Sequence, residues 1–164
     1  NDKYWPAEHW ARVIDEIAAL EPDVHLLLLG VSNEVRMNRT ILRKARTRRA
    51  QNVAGDLPLT RLFALQERAI GTISVDTGPA HSAGALGCPV VVLFGAEDPT
   101  IFRPRSRTGM VECLVGFVAG DQSILGIRPD EVVDAWVRLR GRSTRAETIE
   151  EVAYGIHSGV ASSN

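Results

Sequence analysis

Apolar positions along this chain recur in two periods, and the switches between them predict a β-α-β-α succession. After Pro6 the residues Trp10, Val13, Ile14, Ile17 and Leu20 fall at helical spacing, which predicts a helix with one inward face that stops at Pro22. Val24 to Leu29 is a short apolar run closed by Gly30, the pattern of a buried strand. Ser32 or Asn33 can cap a helix through Val35, Met37, Ile41 and Leu42. Asn52 to Ala54 predicts a short strand before a turn at Gly55 and Asp56, and Leu59 to Ala69 a helix packing through Leu62, Phe63 and Leu65. Met110 to Val115 reads as a weaker strand, and Pro129 to Leu139 as a helix with Val132, Val133, Trp136 and Leu139 inward. Thr144 to Glu147 has the form of a capping box opening a last helix.

The segment Ile73 to Pro99, ISVDTGPAHSAGALGCPVVVLFGAEDP, carries the most information. Ile73 and Val75, then Val90 to Phe94, are runs suited to strands buried on both faces of a parallel sheet. Between them Pro79 suits the first position of a helix, with Thr77 or Gly78 capping in front. Ala80, Ala83, Gly84, Ala85 and Leu86 continue that helix with side chains small enough for close approach to a sheet, and Gly87 with Pro89 stops it. Free N–H groups and the helix dipole at such a start favour an anion, and a diphosphate is the expected one.

Within this turn Asp76 is expected to accept hydrogen bonds from turn amides, or from sugar hydroxyls lying beside a diphosphate. His81, one turn into the helix, can donate to a phosphate oxygen. Asp-Thr-Gly is also the triplet of aspartic proteases, but those are all-β with two such loops sharing a site. Here the triplet occurs once, inside an alternating α/β pattern. The expected fold is therefore α/β, a Rossmann-like doubly wound parallel sheet with ligands held at the carboxyl ends of its strands, where Gly30, Gly55, Asp76 to Gly78 and Gly95 to Pro99 all fall.

Composition narrows the classes. The 164 residues fit a Rossmann-like domain over 1–140 with a helical tail over 141–164. A net charge of −1 and a pI near 6.5 give no global drive toward nucleic acid or an anionic membrane. The basic cluster Arg43, Lys44, Arg46, Arg48 and Arg49 reads as a solvated helix end complementing the dipole. No apolar run approaches the ~20 residues that span a bilayer, and no signal-peptide pattern opens the chain. Cys88 and Cys113 lack metal-ligand spacing and read as small buried hydrophobes in a reducing compartment, which makes a cytoplasmic location the expectation. The first residue, Asn1, opens directly into a patterned element, which suggests part of a longer protein.

The Ile73–Pro99 segment resembles the signature of glycosyltransferase family 9, the heptosyltransferases that build the inner core of bacterial lipopolysaccharide. The opening KYWPAEHW is similar to the segment that begins the C-terminal domain of that family; LLGVSNE resembles its second strand and acidic loop, and NVAGDLPLTRLFAL its Asn-x-x-Gly and leucine pattern. The resemblance, in order over Lys3 to Val137, implies the C-terminal half of a GT-B enzyme, which binds an ADP-sugar and transfers heptose with inversion to a lipopolysaccharide-core acceptor. It implies a donor site of Lys3 on the phosphates, Glu34 on the ribose hydroxyls, and Asp76, Thr77, Gly78, Pro79 and His81 at the turn. No metal or other cofactor is expected, nor any nucleic-acid partner, and at most peripheral contact with a membrane. The general base and the acceptor site are expected in an N-terminal half, so no catalytic residue is assigned here. Glu97 stands where the family carries Ser or Thr, and the tail from Gly141 has no recognised counterpart. A non-catalytic nucleotide- or sugar-binding module, or half of a sugar-nucleotide epimerase, is the alternative.

Overall fold

The computed structural model describes residues 3–55 and 57–158, with side chains as far as Ser143. Helix α1 (Ala7–Leu20) leads into strand β1 (Leu26–Leu28), helix α2 (Val35–Lys44) and strand β2 (Ala50–Asn52). Helix α3 (Leu59–Arg68), strand β3 (Thr72–Val75), helix α4 (Gly78–Leu86) and strand β4 (Val90–Phe94) follow. A short helix α5 (Pro99–Phe102) precedes strand β5 (Val111–Val115), a two-stranded ribbon of β6 (Phe117–Val118) and β7 (Asp121–Gln122), and the long helix α6 (Pro129–Ser158).

All pairings among β1 to β5 are parallel, in two sheets. β1 lies on β2 with Leu26 opposite Ala50, and β3-β4-β5 form the other sheet with Thr72 opposite Val90 and Val90 opposite Val111. The central strand β4 is wholly buried. Its alternation divides the core: Val91 and Leu93 face a cluster with Trp5, Val13 and Ile17 from the α1 side and Val132, Trp136 and Leu139 from α6. Val90, Val92 and Phe94 face Ala80 and Ala83 of α4. Burying each such side chain contributes about 1.5–3 kcal/mol, so this strand anchors the α/β sandwich that the pattern predicts.

Several expectations shift in detail. Leu20 is exposed, because α1 turns Ala7, Ala11, Val13, Ile14, Ile17 and Ala18 inward instead. β2 forms at Ala50–Asn52 rather than Asn52–Ala54, since Asn52 is used as a bracket: its side-chain amide donates to the Val35 carbonyl and its carbonyl accepts from Ala54 N–H. Asp56 lies outside the described residues. In α3 Phe63 is exposed, and Gln66 is the buried residue. Cys88 is buried as expected, while Cys113 is only half-buried.

No separate helix opens at Thr144. A single helix, α6, runs from Pro129 through Gly141 to Ser158. Arg138, about one turn before that glycine, and Arg142, the residue after it, both reach Glu112 on β5, and Arg140 pairs with Glu21 at 3.1 Å. These ties hold the helix on course where glycine propensity would let it break. The side chains of the Thr144–Glu147 box lie outside the described residues.

Beyond β5 the chain makes a hairpin that the pattern does not show. Ala119 and Gly120, both at positive φ (53° and 94°), form its turn. The ribbon crosses the single-turn 3-10 helix Ile124–Gly126 so closely that a Cβ on Gly116 would sit 2.4 Å from the Gly126 carbonyl carbon. From β7 the Gln122 amide donates to the Glu97 carbonyl at 2.8 Å and also to that of Gly95, tying the hairpin to the loop after β4.

Candidate functional site

The site is built from the turn between β3 and α4. Asp76 N–H continues the ladder by donating to Leu93 O at 3.1 Å, which carries the chain out of the sheet with its carboxylate buried beneath the turn. Of the two expected kinds of partner, turn amides are not used: among the described residues none donates to that carboxylate. It accepts from two side chains: Lys3 Nζ stands 3.4 Å from Oδ2, and His81 Nε2–H donates to Oδ1 at 3.2 Å. Only 6% of the Asp76 side chain is exposed, against 43% for Lys3 and 47% for His81, so the acid is the anchor and the two bases are the accessible groups.

Thr77 occupies the N-cap position, yet its side chain caps nothing. Its hydroxyl turns back and donates to Val75 O at 3.2 Å, beside Ser74 Oγ donating to the same carbonyl at 2.8 Å. The consequence is chemical. Pro79 has no N–H, Ala80 and His81 both donate to Thr77 O, and the N–H groups of Thr77 and Gly78 are left without a partner among the described residues. A Cβ on Gly78 would meet no atom within 4 Å, so the chain leaves open space beside that residue. Two free amides at the positive end of α4, flanked by an ammonium and an imidazole, form an anion-binding turn.

Lys3 belongs to a second feature as well. With Tyr4, Val31, Asn33, Glu34 and Met37 it lines an open cleft of about 310 Å³. Glu34 reaches this cleft from the 3-10 turn Ser32–Glu34 that opens α2, and its Oε2 accepts from Val31 N–H at 2.8 Å. A Cβ on Gly30 would lie 2.8 Å from that oxygen, so a side chain there would displace Glu34 from this position. The expected cap at Ser32 or Asn33 is thus supplied from the other end of the turn by Glu34, which keeps one oxygen for other work.

The structure therefore brings Lys3, Asp76, Thr77, Gly78 and His81 together beyond β3, with Pro79 in the helix's first turn, and Lys3 also lines the cleft that Glu34 reaches beyond β1. Glu97 sits on a different loop, held from below by Gln122 through its backbone. Asp98 caps α5, accepting from Thr100 N–H at 2.8 Å, which lowers its pKa from the ordinary carboxylate value. Among the described residues no three His, Cys, Asp or Glu side chains converge as metal ligands.

One positioning residue escaped the pattern. Gln66, 2% exposed, points from α3 into the first turn of α4, donating to Pro79 O at 2.8 Å and accepting from Ser82 Oγ at 2.7 Å. A lone Gln between Leu65 and Glu67 gives no periodic signal. Tyr4 and Val31 carry no expectation from the pattern, and Asn33 and Met37 only those of a helix cap and a helix position; the adjacency of Tyr4 to Lys3 alone hints at a shared cleft.

The family model described as glycosyltransferase family 9 (heptosyltransferase) matches residues 1–117. The chain belongs to glycosyltransferase family 9. Lipopolysaccharide heptosyltransferase 3 of Escherichia coli strain K12 is 30% identical over 119 residues, which make up 73% of this chain and 33% of that relative. The structure of the E. coli ADP-heptose lps heptosyltransferase II superposes with a TM-score of 0.75 at 23% identity, covering 87% of this chain and 44% of that one. E. coli heptosyltransferase WaaC, solved with ADP, gives a TM-score of 0.68 at 21% identity over 85% of this chain and 41% of that one. This family member thus spans about a third of the first of these relatives, and the two solved structures share its Rossmann-like fold.

Proposed function

We propose that this chain is the donor-binding half of a heptosyltransferase-like inverting glycosyltransferase, taking an ADP-sugar and serving transfer to a lipopolysaccharide-core acceptor held by a further half. The carrying observation is the position of Lys3, which joins the Glu34 cleft to the turn bearing the free amides of Thr77 and Gly78. In this reading the apolar walls of Tyr4, Val31 and Met37 suit a nucleoside, and the open oxygen of Glu34 accepts from ribose hydroxyls. The diphosphate meets the amides of Thr77 and Gly78, with Lys3 and His81 beside it. Asp76 enters through the two bases that it holds.

Such a turn favours departure of a diphosphate, because fixed amides and an ammonium stabilise the charge that develops on it. That stabilisation calls for no metal. The general base that activates the acceptor belongs to the further half, in a cytoplasmic enzyme with at most peripheral membrane contact and no nucleic-acid partner. Among the described residues no helix is long and apolar enough to cross a membrane.

Calorimetry with ADP, an ADP-sugar and GDP, each with and without EDTA, tests the reading. Binding of the adenine nucleotides that EDTA leaves unchanged is expected. No binding of any of them, or binding lost in EDTA, would overturn it. The isolated chain is expected to show no transfer from ADP-heptose to a purified core acceptor.

A further inference from the structure

Between Arg36 and Arg49 stand seven lysines and arginines and no acidic residue, in a chain whose net charge is −1. The structure makes a surface of them. α2 buries Asn38 and Ile41 and turns Arg36, Arg39 and Arg43 outward, at a spacing that aligns them on one face over roughly 10 Å of helix. Arg46 and Arg48 extend the exposed strip past the end of the helix.

Neighbouring acids do not neutralise this strip. Asp15 of α1 spends both oxygens on the backbone N–H groups of Arg46 and Thr47, at 2.8–3.0 Å. Glu8 pairs with Lys44 at 2.7 Å. Among the described residues Arg36, Arg39, Arg43, Arg46 and Arg48 have no carboxylate partner, and Arg43 donates only to Thr40 Oγ1. Three arginines on other elements are paired instead, Arg12 with Glu16, Arg128 with Asp130 and Arg138 with Glu112, whereas the strip gathers five without a carboxylate partner within thirteen residues. Guanidinium groups left free in a row on one outward face offer a phosphate-rich surface a set of charge-assisted contacts.

We infer that the outer face of α2, continued through Arg46 and Arg48, is a docking surface for an anionic lipid leaflet. The choice of lipid rests on the proposed function, in which the acceptor is a lipopolysaccharide core, a lipid-linked glycan. The strip itself has no aromatic side chain between Arg36 and Arg49 on which bases could stack. The cleft lies at the start of the same helix, through Glu34 and Met37, so docking along α2 would set the donor site beside the bilayer.

Sedimentation with phosphatidylcholine vesicles, with and without phosphatidylglycerol, at low and high salt tests the surface. The chain is expected to co-sediment only with the anionic vesicles, and to be released by salt. The triple variant Arg36→Gln, Arg39→Gln, Arg43→Gln should lower that partitioning roughly a hundredfold. A triple of equal charge placed elsewhere, Arg12→Gln, Arg68→Gln, Arg128→Gln, should change it little. Equal losses in the two triples, no capture by anionic vesicles, or tighter binding to transfer RNA than to the vesicles would each overturn the surface. ADP calorimetry on the same samples separates the two readings: vesicle capture without ADP binding removes the donor site alone, and ADP binding without capture removes the docking surface alone.

Discussion

Lys3 Nζ stands 3.4 Å from Asp76 Oδ2, so the chain's entry segment is fastened to the turn that follows its third strand. The same carboxylate holds His81 on its other oxygen. Asp76→Ala is therefore expected to free both bases at once. ADP and ADP-sugar affinity should fall alike, by about tenfold, equivalent to ~1.4 kcal/mol. Calorimetry on both ligands checks this; a loss confined to the sugar nucleotide would place Asp76 on the sugar instead.

Gly78 and Gly84 lie on the same helix and predict opposite outcomes. A Cβ on Gly84 would come 2.8 Å from the backbone oxygen of Arg105, and Gly84→Ala should lower stability by about 1–3 kcal/mol. Gly78→Ala meets no protein atom, so its Tm should hold while ADP binding weakens. Thermal melts beside calorimetry separate the two; an unchanged ADP affinity in Gly78→Ala would show that no ligand occupies the space before it.

Gln66→Leu tests the clamp on the first turn of α4. The apolar replacement keeps the packing but leaves Ser82 Oγ and Pro79 O with only each other across that side, so stability should fall by about 1 kcal/mol and ADP affinity severalfold. If Gln66→Leu binds ADP as the parent does, the turn is set by the sheet alone.

Burial raises the thiol pKa of Cys88 and of Cys113 above the ordinary value, desolvation being the larger cause in each. Folded thiols then keep their protons at a pH where unfolded ones lose them. Their contribution is complete below the unfolded thiol pKa and is lost as pH rises through the folded one, so stability should decline in the alkaline range. Denaturant titrations across that range should show a shallower decline in Cys88→Val.

The β3-α4-β4 unit was legible because its signals are local: β-branched runs, Pro79 at a helix start, Gly87 at its end. Lys3 touches Asp76 and shares a cleft with Glu34, an adjacency that periodicity alone would not have shown between residues so far apart in the chain. What stayed hidden depends on tertiary contact. Gln66 declares itself only when α3 meets α4, and Leu20 reads as core until small residues fill that face of α1. The continuation of α6 through Gly141 depends on arginines reaching Glu112 on another element, which no local propensity encodes.

Gly116 and Gly126 have no room for a side chain on either strand of their crossing. Their histories are therefore coupled. A first mutation at either position has to force the hairpin off the chain beneath it, and a second mutation at the other cannot relieve the clash. Lineages carrying this ribbon should keep both glycines or lose the ribbon entirely, which makes the pair a marker for tracing the hairpin's descent.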